Sequence, residues 1–225
     1  IAEGEKIAGE ALLSSRCKVV RVFALPEWLH ENAAQLSPIQ ASAITEAGEN
    51  DLAKLSGLST PNKVLMVLEV PQAGELPLIH TALYLDDVQD PGNLGAILRI
   101  ADWFAVPQVF CSPGSVDVYN PKVVQASMGA FLRVDSQEIE LETLLRRQPE
   151  LPVLGAVLDG ENLFTTPLPS SGLLIVGNES KGIRPATQQL LSHRIAIPKA
   201  PGGGAESLNA AVATGIITAC WINRV

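Results

Sequence analysis

Only three cysteines, Cys17, Cys111 and Cys220, occur in the chain of 225 residues, and no two of them form a CxxC pair. An odd and widely spaced set excludes a disulfide framework and a structural zinc site, and fits reduced, buried thiols in a cytoplasmic protein without a metal. Long apolar runs are missing too. A run such as "GLLIVG" at 172–177 falls well short of the roughly 20 residues that span a bilayer, so no membrane partner is expected. No basic and then apolar leader opens the chain, and it starts at Ile1 rather than methionine, so further N-terminal sequence is expected. Positive charge is scarce: 16 Lys and Arg against 24 Asp and Glu leave a formal charge of −8. That excludes a protein that coats nucleic acid with a uniformly basic surface. It leaves room for a local basic face, for which Lys181, Arg184, His193, Arg194 and Lys199 are close in sequence.

What is present is apolar. The broad hydrophobic share is 47%, enough for one large or two modest cores, and 18 Gly and 16 Pro punctuate the chain without forming a repeat. A helix over 3–14 precedes a β-rich run, "KVVRVFAL" at 18–25; a short helix from Pro26, another over 41–56 and a strand at 63–70 complete a small α/β unit. Pro71, Gly74 and Pro77 mark a linker. Beyond it, strands are expected near 81–86, 106–111, 130–134, 152–158, 172–177 and 193–197. Helices are expected near 93–104, 120–127, 138–147, 183–191 and 206–222. Alternating apolar strands and helices predict a mostly parallel sheet covered on both faces, with ligands in the loops beyond the carboxyl ends of its strands.

Three such loops carry polar residues. In "LDDVQDPGNLGAILRIADWF", 85–104, a strand passes through an Asp-Pro-Gly turn into a helix. Asn93 at its start suits either an amide cap or a ligand contact. Arg99, flanked by Ile97, Leu98 and Ile100, requires water, an acidic partner or a phosphate. In "LLIVGNESKGI", Glu179 suits either a helix N-terminus or an exposed carboxylate facing a ligand. The third loop, "IPKAPGGGAESLNAAVATGI", carries a glycine run, then Ser207 as a helix-start residue and a small-residue helix suited to close packing. None of the three is a calcium loop, a phosphate-binding P-loop or a dinucleotide fingerprint. His30, His80 and His193 read as surface or strand-edge residues, and Trp103 and Trp221 as core or dimer packing.

Taken in order, "QDPGNLGAILRIAD", "IVGNESKGI" and "IPKAPGGGAESLNAAVATGI" resemble the three motifs of the SpoU, or TrmH-type, RNA ribose methyltransferases of the SPOUT class. The resemblance covers about 81–223, and "AEGEKIAGEAL", "EWLHEN" and "LSGLSTPNKVLMVLEV" are similar to the substrate-binding domain that often precedes the catalytic one. It implies an RNA substrate-binding domain at 1–72, a linker at 73–80 and a SPOUT domain at 81–225 with a C-terminal trefoil knot, an exception to the unknotted rule. It also implies a homodimer whose active sites use both chains.

The implied reaction is methyl transfer from S-adenosylmethionine to a ribose 2′-hydroxyl of RNA, with ribosomal RNA preferred over transfer RNA. By motif position, Asn93, Arg99, Glu179, Ser207 and Asn209 are the catalytic set, and Gly177, Ile197 and Leu208, with Leu158 and Gly160 from the preceding loop, contact the cofactor. Within that set Arg99 acts either as the base or as a holder of the RNA phosphate, phosphate positioning with assisted deprotonation being preferred; Glu179 and Asn209 position the first loop and the nucleophile, and Ser207 and Asn93 hold loop geometry by hydrogen bonds. Two departures stand out: Ser180 where members commonly have glycine, and a longer loop before Ser207. The alternative is a noncatalytic dimeric RNA-binding protein that keeps the fold.

Overall fold

A computed structural model describes residues 1–71, 76 and 81–222. The chain begins with β1 (Ala2–Glu3), α1 (Glu5–Leu13), β2 (Val19–Ala24), α2 (Pro26–Glu31) and α3 (Ala33–Leu36). It continues through β3 (Ile44–Glu46), α4 (Glu49–Leu55) and β4 (Val64–Leu68). These strands form a mixed sheet in the order β1-β4-β2-β3. The expected helix over 41–56 is split into a 3-10 turn, β3 and α4. β-branched Ile44 and Thr45 pair with Val22 and Phe23 of β2, so the long helical reading gives way to sheet pairing.

The second part runs β5 (Thr81–Asp86), α5 (Pro91–Trp103), β6 (Gln108–Cys111), α6 (Pro121–Ser127), β7 (Asp135–Glu138) and α7 (Leu141–Arg147). It ends with β8 (Val153–Asn162), β9 (Gly172–Gly177), α8 (Pro185–Gln188), β10 (His193–Ala196) and α9 (Ala210–Ile222). Its six strands form a parallel sheet in the order β10-β8-β9-β5-β6-β7. Side chains alternate between two cores: Leu83 and Leu85 of β5 join one, Ala82 and Tyr84 the other, and β9 divides Leu174 and Val176 from Leu173 and Ile175 in the same way. Burial of a thiol in this sheet pushes Cys111 up to about 12. Cys17 is buried as well and Cys220 half-buried.

In place of the strand expected over 130–134, the chain makes a 3-10 turn at Ala130–Leu132, and the edge strand β7 follows. Its sequence, Asp-Ser-Gln-Glu, is half exposed and gives no apolar signal. The helix expected over 183–191 shrinks to α8, and that expected from 206 begins at Ala210. Most of the expected 73–80 linker lies outside the described residues.

The two sheets share one hydrophobic cluster, in which Ala2, Ile7 and Met66 join Leu94 and Leu98. Charged contacts reinforce that join: Arg133 grips Asp102 through Nε and Nη2 and also reaches Glu10 of α1, while Arg16 pairs with Asp135. Helix α5 lies tightly against α6, because a Cβ at Gly95 would stand 2.5 Å from that of Ala126 and 2.9 Å from backbone. Gly95→Ala is therefore expected to destabilise the protein by about 1–3 kcal/mol through overpacking, despite the helix-propensity gain of alanine. Urea unfolding checks this.

Candidate active site

Strand order reverses between β5 and β9: the chain leaves β5 toward β6 and leaves β9 toward β10 on the other side. Such a switch point opens a crevice at the carboxyl ends of the two strands. The loop after β5 ends in Asp90, whose Oδ1 accepts the Asn93 amide at 2.8 Å and caps α5, with Pro91 at the first helical position. Asn93 is thus not the cap. Its side chain is free for another task.

The loop after β9 is a tight turn closed by Asn178 and Gly182, which exchange main-chain hydrogen bonds at 3.1 and 2.9 Å. Asn178 Oδ1 accepts the amides of Ser180 and Lys181, and its Nδ2 donates to the Asp87 carbonyl at 2.8 Å. Gly177 has no room for a side chain, since a Cβ would lie 2.3 Å from Gly182 C and Ile183 N. The far side of the turn is anchored by Arg184, whose amide and Nε donate to the fully buried Asp86 carboxylate at 2.7 and 2.6 Å. Burial alone would lower the Arg184 pKa, but the hydrogen bond and charge of Asp86 outweigh it and hold the guanidinium above its ordinary value.

These two loops meet the start of α9 through one hydrogen-bonded chain. Asn93 Nδ2 donates to Glu179 Oε1 at 2.6 Å, and Asn209 Nδ2 donates to Asn93 Oδ1 at 2.8 Å. Asn209 Oδ1 accepts from the Ala211 and Val212 amides, capping α9. The direction of every bond follows: a carboxylate only accepts and a main-chain amide only donates, so both side-chain amides are locked in orientation. The three residues line an open cleft of about 650 Å³, together with Gln89, Asp90 and Lys181 among others.

The other expected site residues lie outside this cleft. Arg99 is exposed on α5 and makes no hydrogen bond or ion pair among the described residues; a structural pairing is thereby excluded within them. Ser207 is exposed and makes no such bond either, so the hydrogen bond expected to hold its loop is not seen, and the helix start is capped by Asn209 instead. Every residue from 198 to 209 is exposed. Leu158 is 78% and Leu208 47% exposed, whereas Gly177 and Ile197 are half-buried at the ends of β9 and β10. Gly160 is a glycine because β10 crosses it, with Ile195 N only 2.6 Å from where a Cβ would stand. The organising roles of Asp90, Asn178 and the Asp86–Arg184 pair emerge only in the structure. Asp-Pro-Gly and Asn-x-Ser carried a local turn signal, whereas the Asp86–Arg184 contact joins positions distant in sequence.

No helix among the described residues is long and apolar enough to cross a membrane, and no group of three or more potential metal ligands occurs among them. Residues 80–219 match the SpoU rRNA Methylase family. The chain belongs to that family.

It is 28% identical over 220 residues to the 23S rRNA (guanosine(2553)-2′-O)-methyltransferase RlmP of Bacillus subtilis, covering 96% of this chain and 86% of the relative. A structure described as a TrmH-family RNA methyltransferase of Porphyromonas gingivalis superposes with a TM-score of 0.84 at 37% identity, covering 100% of this chain and 89% of that one. The AdoMet-bound rRNA methyltransferase of Sinorhizobium meliloti gives 0.84 at 26% identity, covering 98% and 85%.

Asn209 has two separable tasks in this family member. Asn209→Ala should cost about 1 kcal/mol through the lost cap, and Asn209→Ser should restore most of it without restoring the donor to Asn93. Thermal unfolding of the two variants checks the cap alone.

Proposed function

We propose that this protein transfers a methyl group from S-adenosylmethionine to a ribose 2′-hydroxyl of RNA, ribosomal rather than transfer RNA. The observation that carries the reading is the Glu179–Asn93–Asn209 chain, which ties the three motif loops around one open cleft. The RlmP relative and the AdoMet-bound neighbour support the substrate and the cofactor.

The residues fit the cofactor. Leu158 and Leu208 expose apolar surface that packing within the chain leaves uncovered, and Ile197 and the Gly177 main chain lie at the ends of β10 and β9, the strands on either side of β8. These groups, with the Gly160 main chain, would hold it. S-adenosylmethionine supplies an electrophilic methyl on a sulfonium sulfur. The chain must then align the hydroxyl and help remove its proton. Glu179 and Asn209 hold Asn93, and with it the first turn of α5, in a fixed orientation. Glu179 Oε2 makes no hydrogen bond among the described residues, which leaves it available to the nucleotide. Arg99, exposed and without an ion pair among the described residues, holds an RNA phosphate. Guanidinium groups ordinarily stay protonated to about pH 12, so donation suits it better than acting as a base.

The finer architecture belongs to the same reading. Residues 1–72, built on their own sheet, would choose the RNA, with 73–80 as the linker. The trefoil knot is what membership of the family implies; in this chain α9 lies against α5, β8 and β9, and its Trp221 donates to the Pro169 carbonyl at 2.7 Å. Homodimerisation is supported by apolar side chains left exposed on the α5 and α9 helices: Trp103 is 82%, Val212 51% and Ile222 40% exposed. Trp103→Glu is expected to shift the protein to a monomer in analytical ultracentrifugation; an unchanged dimer would remove Trp103 from the interface.

Labelled methyl transfer from S-adenosylmethionine into total RNA of cells lacking the protein, followed by nuclease digestion, tests the function. A labelled 2′-O-methyl nucleotide is expected, with Arg99→Ala reducing single-turnover transfer by on the order of 10²-fold. RNA binding without cofactor binding or transfer would favour the noncatalytic reading. Unchanged transfer by Arg99→Ala would sink its phosphate role.

A further inference from the structure

The proposed reaction needs an RNA strand, with a charge on every phosphate, to enter a cleft whose walls include Asp90 and Glu179. An acidic protein must supply cations there or repel its substrate. Several cations are already engaged elsewhere. Arg16, Lys18, Lys54, Lys63, Arg133 and Arg194 pair with Asp135, Glu69, Asp51, Glu5, Asp102 and Asp159 in turn, and Arg184 is held by Asp86.

Lys181 differs in both respects. It is the cation among the residues lining the cleft, and it is exposed, with no ion pair among the described residues. Beside it Ser180 also lines the cleft, and its hydroxyl makes no hydrogen bond among them. Both side chains project from the turn whose main chain is already fixed. Asn178 Oδ1 holds the Ser180 and Lys181 amides at 2.9 and 3.1 Å, Gly182 closes the turn in the left-handed region at φ 69°, and Asp86 anchors the following Arg184. The turn therefore presents a hydroxyl and an ammonium together from a rigid base, with little backbone ordering left to occur on binding. A serine hydroxyl and a lysine ammonium are both ordinary donors to phosphate oxygen, and such contacts fix register rather than read sequence.

We propose that Ser180 and Lys181 form a phosphate-binding pair at the mouth of the cleft that seats the RNA backbone beside the Glu179–Asn93–Asn209 chain. This inference rests on the methyltransferase reading and adds two positioning residues to it. Serine at 180 supplies a hydroxyl donor that a glycine in this turn would lack. Arg99 and the Ser180–Lys181 pair then engage the RNA from separate elements, α5 and the turn after β9.

The test is RNA binding and steady-state transfer by the full-length wild type, Lys181→Ala, Lys181→Arg and Ser180→Ala, across a salt series, with cofactor affinity and melting temperature measured alongside. Lys181→Ala is expected to raise the RNA KM roughly tenfold, and Ser180→Ala roughly threefold, in line with the loss of one charge-assisted and one neutral hydrogen bond. Lys181→Ala should also flatten the salt dependence of RNA binding by about 0.7–0.9 in log–log slope, the contribution of one phosphate. Lys181→Arg should restore most of both, and cofactor affinity and melting temperature should not move. Wild-type RNA affinity and salt slope in Lys181→Ala would overturn the proposal, as would a loss confined to cofactor affinity. A wild type that binds neither RNA nor cofactor would overturn the functional reading itself, a result distinct from variants that match an active wild type.

Discussion

Three segments far apart in sequence meet through two side-chain hydrogen bonds, and the architecture at the sheet's carboxyl end depends on them. Asn93 stands between Glu179 and Asn209, donating to one and accepting from the other. An amide is the side chain suited to this place, because it offers a donor and an acceptor at fixed separation. An aspartate would confront the Glu179 carboxylate, and a leucine of similar size would leave two polar neighbours without a partner. Each loop is also braced from behind: Asp90 caps α5, Asn178 folds the turn after β9, and Asn209 caps α9. The central contact thus joins elements whose own geometry is already settled, the condition under which a weak interaction sets position well.

The sheet explains why the meeting happens there. Strands β5 and β9 are adjacent and paired along Thr81–Asp86 and Gly172–Gly177, yet their connections leave in opposite directions. Leu83, Leu85, Leu174 and Val176 are buried on one face of this pair and Tyr84, Leu173 and Ile175 on the other, so both strands are packed between two cores. Polar residues that would be costly inside are displaced to the strand ends, where Asp86 is satisfied by Arg184 and Asp87 by Ser112. The cleft is therefore built at the buried centre of the fold, while the segment 198–209 that leads into α9 is exposed.

Much of this was legible in the sequence because the signals were local. Continuous apolar runs marked β5, β6 and β9, Asp-Pro-Gly marked the turn into α5, and the three polar loops stood at the ends of expected elements. The resemblance supplied the grouping of Asn93, Glu179 and Asn209, and the geometry brings those three together. What escaped was non-local or polar. The edge strand β7 carries no apolar pattern, β3 is three residues long and depends on pairing with β2, and the identity of each cap depends on distances no spacing rule contains. Asn93 sat at the right turn, but its amide is not the cap. Ser207 carried a helix-start signal, while Asn209 two residues later makes the bonds.

If the three polar residues act as one device, breaking any link should leave the others little further to lose. The most direct measurement is the single-turnover methyl-transfer rate of Asn93→Ala, Glu179→Gln and the double variant, at saturating cofactor and RNA. The account predicts strong non-additivity, with the double variant about as slow as the slower single one. Rate losses that multiply would show that Asn93 and Glu179 contribute independently, and would contradict a shared role for the three loops.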